Sequence, residues 1–188
     1  MPRWEGDRSS VGAVALGRTA DGLTFSRLVI AIVLVPVLGA HHSAAAAVLV
    51  GAAWLTDFFD GRAARAADGL TRLGAFDLWV DTLVGAGLLL GFVAWGWLPA
   101  LVGVSLVVVL FAAFAFTRNE ALSFLLQAIG YAMLLWRAWR DGPLGALVWM
   151  VGIIAFLAIV NRRVFLGKAV PTFLKGMAAV FRGRPPAR

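Results

Sequence analysis

Residues 56–82 read TDFFDGRAARAADGLTRLGAFDLWVDT. The chain has 188 residues and only ten Asp and Glu, and five of these (Asp57, Asp60, Asp68, Asp77 and Asp81) fall inside this stretch. The sequence on either side is apolar. Of the whole chain 61% is hydrophobic and 14% charged, with a mean hydropathy of +0.87. A soluble domain carries closer to about 25% charged residues. Long uncharged runs instead mark an integral membrane protein. The chain contains no cysteine, which excludes disulfides, thiolate metal sites and cysteine nucleophiles. The net charge of +7 comes without a basic stripe interleaved with aromatics, so nucleic acid is not an expected partner. Basic residues on a membrane protein instead report topology.

Working outward, the apolar runs are 28–40, 44–56, 82–117, 121–136 and 144–160. A helix needs about 20 residues to cross a bilayer. The 44–56 run is too short alone, so its helix continues through Asp57 and Asp60. The uncharged run of 36 residues from Thr82 to Thr117 has Gly96-Trp97-Leu98-Pro99 as a turn signal in its middle. It is short for two spans and a turn, so the first of them begins near Gly74 and draws in Asp77 and Asp81. Thr24 is a candidate cap for the first helix. The expectation is an all-α polytopic membrane protein with six transmembrane helices, at roughly 24–40, 44–65, 74–95, 98–117, 120–138 and 143–160. Residues 1–23 then form an amino-terminal arm and 161–188 a basic tail, each cytoplasmic or interfacial. The stretch 164–181 is either an amphipathic interfacial helix or a solvated basic tail near anionic lipid.

Six spans put both termini on one side. That side then holds 15 of the 17 Lys and Arg, and only Arg137 and Arg140 fall opposite. The positive-inside rule makes the majority side cytoplasmic. Trp95, Trp97, Trp136 and Trp139 meet at the other interface, as an aromatic belt does. A cleaved signal peptide ending at Ala40 is the alternative for the first run, although its basic leader is long. His41 and His42 fall in the short far-side link, away from the carboxylates.

Asp57, Asp60, Gly61 and Ala64 are spaced i, i+3, i+4, i+7 and share one helix face. Asp77 and Asp81, at i and i+4, share another. The link between the helices is short, so they pair antiparallel. Counting outward from position 69 sets Asp57 level with Asp81 and Gly61 level with Asp77, about 12 Å from the link centre. Two like charges about 5 Å apart repel by on the order of 3 kcal/mol at an effective dielectric near 20. Four facing carboxylates therefore call for protonation or for hard divalent ions such as Mg²⁺ or Mn²⁺. Paired hard ions commonly clamp a phosphoryl group during displacement. Gly61 and Ala64 leave this face without bulk, and the adjacent Arg65 can pair with a phosphate. The plain alternative is that Asp60-Gly61 is an ordinary solvated turn, as Asp68-Gly69 is read to be.

The pattern resembles that of the CDP-alcohol phosphotransferases, membrane enzymes of phospholipid synthesis. Their motif runs Asp, two residues, Asp-Gly, two residues, Ala-Arg, about eight residues, Gly, three residues, Asp, three residues, Asp. Asp57, Asp60, Gly61, Ala64 and Arg65 match it directly, eight residues lead to Gly74, and Asp77 and Asp81 keep their mutual spacing. Leu23-Thr24, Arg27 and Pro36 are similar to the start of bacterial members. One departure stands out: two residues rather than three separate Gly74 from Asp77. If Gly74 belongs to the link, a loop is shortened and the Asp77/Asp81 face survives. If Gly74 is inside the third helix, that face turns by about 100°. The first reading fits the span lengths.

The resemblance implies that Asp57, Asp60 and Asp77 hold divalent ions, and that Asp81 completes the metal site and takes the proton of an acceptor hydroxyl. It implies that Gly61 and Ala64 line the nucleotide site and that Arg65 contacts the diphosphate. An alcohol would attack the β-phosphorus of a CDP-linked lipid such as CDP-diacylglycerol, releasing CMP. Glycerol 3-phosphate and inositol phosphate are acceptor candidates, yet Leu78 and Thr82 depart from what users of either often carry. Arg118, Arg137, Arg162 and Arg163 are either acceptor ligands or topological charges. Members are commonly homodimers, placed in the plasma membrane with the site facing the cytoplasm. An ion-coupled carrier and a silent scaffold of the same fold are the competing classes.

Overall fold

A computed structural model of the chain describes residues 5–67, 71–140, 142–162, 167 and 170–182, with side chains from residue 12 onward except that of Phe181. Asp68-Gly69, Arg163 and Lys168 lie outside the described residues. The described residues contain helices and turns and no strand. The helices are α1 Glu5–Gly39, α2 Ser43–Ala66, α3 Asp77–Ala94, α4 Ala100–Thr117, α5 Glu120–Arg140, α6 Leu144–Val160 and α7 Val170–Phe181, with a 3₁₀ turn Gly74–Phe76 leading into α3.

Among the described residues five segments are long and apolar enough to cross a membrane: Gly12–Gly39, Ser43–Ala66, Gly74–Ala94, Ala100–Thr117 and Glu120–Arg140. The chain is thus a multi-pass membrane protein. The sixth expected span, α6, is present as an apolar helix of 17 residues. At about 1.5 Å per residue it is a little shorter than a typical hydrocarbon core.

Sequence reading misplaced the start of the first helix. Thr24 does not cap it. The helix is continuous over 35 residues from Glu5, and Thr24 sits inside it with its hydroxyl 3.2 Å from the Ala20 carbonyl. The charged and small residues before Leu23 look like an arm when spans are counted by hydropathy, yet nothing among Ala13–Gly22 breaks a helix. Pro36, inside α1, removes one donor without ending the helix. Three residues later the chain leaves α1 in a Schellman turn. His42 N–H donates to Val37 O at 3.0 Å and His41 N–H to Leu38 O at 2.8 Å, with His41 at φ +66°. The α3 exit repeats this turn with Gly96, at φ +76°, in the left-handed position.

α1 packs against α2 and α3, and α3 in turn packs against α4 and α5. Leu34 and Leu38 from α1, Ala47 and Val50 from α2, Val84, Leu88 and Phe92 from α3, Leu134 from α5 and Met150 from α6 form the main buried cluster. In lipid the drive for such contacts is close packing rather than water exclusion, so small residues at the seam matter. Gly87 and Gly91 make that seam. A Cβ at Gly87 would run into the Ala31 carbonyl oxygen, and one at Gly91 would lie 2.8 Å from Leu38 Cβ. This backbone contact holds α1 close enough for its side chains to reach the carboxylates on α2 and α3. Gly87→Leu is therefore expected to cost roughly 3 kcal/mol or more by overpacking. Fluorescence-detected size exclusion in detergent, with a thermal ramp, checks it.

The far end carries the aromatic belt. The Arg137 guanidinium lies 4.8 Å from the Trp95 ring centroid and Arg140 5.7 Å from that of Trp136. His41 packs edge-on against Trp95 at 4.9 Å. At the opposite end α7 docks on the start of α5. Asn119 caps α5 by accepting from Ala121 N–H at 3.0 Å, while its amide donates to Gly176 O at 3.1 Å.

Candidate active site

The carboxylates come together across α1: α2 and α3 each pack on α1 rather than on one another, so the direct antiparallel pairing expected from the short link is not what brings them close. Asp57 and Asp60 lie one turn apart near the end of α2, and Asp77 and Asp81 occupy the first two turns of α3. Gly74 opens the 3₁₀ turn and is not part of α3. The shortened spacing before Asp77 therefore falls in the link, and the Asp77/Asp81 face keeps its aim.

One oxygen each from Asp57, Asp77 and Asp81 lies within 4.8 Å of the others. Asp60 is turned inward, toward the hydroxyl of Thr24, which reaches Asp60 Oδ2 at 3.0 Å. Side-chain exposure follows the same division: 6% for Asp60 against 51%, 37% and 21% for Asp57, Asp77 and Asp81.

Span counting missed the centre of the site, which is Arg27. It is fully buried, and its guanidinium pairs with all four carboxylates. Nη1 donates to Asp57 Oδ1 at 3.0 Å and also to Asp81, while Nη2 donates to Asp60 and Asp77. Taking a guanidinium out of water costs several kcal/mol unless it is paired. A single pair at about 4 Å returns roughly 4 kcal/mol at a dielectric near 20. The signal was available: an arginine inside an apolar helix needs a named partner. Counting it as a topological charge hid it.

Charge arithmetic then decides what the site will accept. Four ionised carboxylates and one guanidinium sum to −3, from −4 and +1. That excess, carried by hard oxygen donors on two rigid helices, suits divalent cations such as Mg²⁺ or Mn²⁺. The residues present fit a metal.

Two clefts meet at the carboxylates. The first is lined by Ala20, Asp21, Thr24, Asp60, Gly61, Ala64, Thr71, Gly74 and Asp77. Gly61 and Ala64 thus share its wall with two of the carboxylates. Arg65 is exposed in the last turn of α2, and its Nη1 would lie 3.4 Å from a Cβ built at Gly61. The second cleft is lined by Ala53, Trp54, Asp57, Asp81, Val84, Gln127 and Tyr131. Gln127 donates to the Ser123 hydroxyl at 3.1 Å, and that hydroxyl lies 2.6 Å from the Thr82 hydroxyl. These polar groups in an apolar bundle are held by one another.

Asp21 is a second residue that the sequence reading passed over. Its carboxylate accepts from the backbone N–H of Leu73 at 2.8 Å and of Arg72 at 3.0 Å, pinning the link to α1 just before the 3₁₀ turn. Hydrogen bonds to a charged acceptor contribute about 1.5–3 kcal/mol each. Asp21→Ala is expected to free the link, speeding its cleavage by trypsin at Arg72, while α1 to α3 stay assembled. Limited proteolysis followed by mass spectrometry reads this. Of the arginines weighed as acceptor ligands, Arg118 lies 4.7 Å from the Trp79 ring centroid, Arg137 is at the far end, and Arg162 is exposed.

A family model described as CDP-alcohol phosphatidyltransferase matches residues 18–179. The chain belongs to that family. The match includes Arg27 and all four carboxylates, and it runs into α7. Family membership makes the chain a transferase that moves a phosphate-linked group from a CDP-alcohol, in a membrane setting. No curated protein and no solved structure matches the chain significantly.

Proposed function

We propose that the chain transfers a phosphatidyl group from a CDP-linked lipid such as CDP-diacylglycerol to a small alcohol, releasing CMP. The observation that carries this reading is the meeting of two clefts at one carboxylate cluster in a chain of this family. The first cleft, with Gly61 and Ala64 on its wall, takes the nucleotide. Arg65, folded over Gly61, is placed to pair with the diphosphate. Asp57, Asp60, Asp77 and Asp81 would hold Mg²⁺ or Mn²⁺, as two ions, because the −3 excess and the anionic diphosphate together exceed what one divalent ion neutralises. Bound ions would neutralise the diphosphate and the charge that develops on it.

The acceptor enters by the second cleft, where its hydroxyl reaches Asp81. Asp81 takes the hydroxyl proton as the oxygen bonds to the β-phosphorus. The bond from that phosphorus to the CMP oxygen breaks, and CMP departs through the first cleft. The acceptor is an open choice between glycerol 3-phosphate, inositol phosphate and other small alcohols.

The same reading places the protein in the plasma membrane with α6 as a sixth span, both termini cytoplasmic and the site facing the cytoplasm. The basic residues cluster at the carboxylate end and Trp95, Trp97, Trp136 and Trp139 at the other, which supports that orientation. It also takes residues 1–23 as an arm that continues into the first span as part of α1, with Ala20 and Asp21 reaching the site, 161–188 as a tail, and a homodimer as the working form. The test is CMP release by the detergent-purified chain from CDP-diacylglycerol with Mn²⁺ or Mg²⁺, against a panel of acceptors. Release with one acceptor class is expected. No release with any acceptor would overturn the reading.

A further inference from the structure

Arg27 fills the middle of the carboxylate cluster. All four carboxylates are on α2 and α3, while Arg27 is on α1, and each terminal nitrogen of its guanidinium bridges one residue from each helix. The group whose oxygens converge, Asp57, Asp77 and Asp81, consists of three of its four partners. A divalent ion among those oxygens would lie within a few ångströms of the guanidinium. Like charges that close, away from bulk water, repel strongly and are poorly screened. Nor is the seat a fully matched structural one: Arg27 Nε is buried with no hydrogen-bond partner among the described residues. Asp60 differs from the other three, because Thr24 also holds it and it is the most buried.

We propose that Arg27 is the resident counter-cation of the cluster. It joins α1 to α2 and α3 when no metal is bound, and it yields the oxygens of Asp57, Asp77 and Asp81 when a divalent cation enters. Arg27 thereby weakens metal binding and stabilises the metal-free fold with the same contacts. This rests on the metal-dependent reading above.

The test uses full-length wild type, Arg27→Gln and Arg27→Lys in detergent, in EDTA or in MnCl₂. Mn²⁺ affinity is read by electron paramagnetic resonance and stability by thermal melting. Arg27→Gln keeps hydrogen-bonding capacity and removes the charge. It is expected to bind Mn²⁺ about tenfold more tightly or better. It should melt below wild type in EDTA, with the deficit closing in saturating Mn²⁺. Arg27→Lys, which keeps the charge, should stay near wild-type affinity. Unchanged or weaker Mn²⁺ binding by Arg27→Gln overturns the proposal, as does a melting deficit that Mn²⁺ leaves intact. Should Arg27→Gln fail to fold, wild type labelled with ¹⁵N-arginine decides. Guanidinium signals protected from water in EDTA that lose protection on adding Mg²⁺ support displacement, and protection unchanged by Mg²⁺ refutes it. Absence of Mn²⁺ binding by wild type would defeat the metal-dependent reading and this proposal together. A wild type that binds Mn²⁺ and releases CMP, beside an Arg27→Gln variant of equal affinity, would defeat this proposal alone.

Discussion

Asp81→Asn is expected to reduce CMP release by roughly a thousandfold or more while the protein remains folded. The size of the loss follows from two roles removed at once. A positioned general base contributes about 10²- to 10⁴-fold, and the same carboxylate is one of the three whose oxygens converge. The fold should survive because of what surrounds it. Asn still offers an oxygen to Arg27 Nη1, and Arg27 keeps its pairs with Asp57, Asp60 and Asp77. The substitution also lowers the net charge of the cluster from −3 to −2, relieving repulsion. Melting in EDTA should therefore match or exceed wild type. A variant that loses activity only because it melts early would contradict the assignment, and parallel melting and CMP assays separate the two outcomes.

Chelation is the second large effect. EDTA should reduce CMP release to background, and Mn²⁺ or Mg²⁺ in excess should restore it. When ionised, four carboxylates around a single guanidinium leave three negative charges uncompensated, and an anionic diphosphate cannot enter beside them unaided. At about 5 Å each added like-charge pair costs on the order of 3 kcal/mol at a dielectric near 20. Divalent ions reverse the sign of that field. The loss should be reversible, because Arg27 still holds the metal-free site together. CMP release that persists in EDTA would remove the need for metal.

Much of this architecture was legible in the sequence, and the reasons are physical. Span length forced Asp57, Asp60, Asp77 and Asp81 onto helix ends, and helical spacing put each pair on one face. Counting from the link set the two pairs level, but it did not show that α1, rather than a direct α2–α3 contact, brings them together. The Gly74 departure could also be assigned to the link, because span length starts the third helix near Gly74. Three further features were not legible. Hydropathy counting stopped the first helix at Thr24, since it sees apolar runs and not helix continuity through Gly12, Gly22 and Asp21. It filed Arg27 with the loop charges, although Thr24 and Arg27, spaced i, i+3, mark a polar face aimed into the bundle. Asp21 gave no signal, because its partners are backbone N–H groups that no side-chain pattern announces. The 17 residues of α6 met a six-span count on paper, while among the described residues five helices reach the length and hydropathy of a clear span.

The account turns on whether Asp57, Asp77 and Asp81 share a cation. The most direct measurement is anomalous X-ray scattering from crystals of the full chain grown with MnCl₂. The account predicts a manganese peak among those three carboxylates, missing in crystals of Asp81→Asn or much reduced there. Strong diffraction with no manganese between α2 and α3, at Mn²⁺ concentrations that support CMP release, would contradict it.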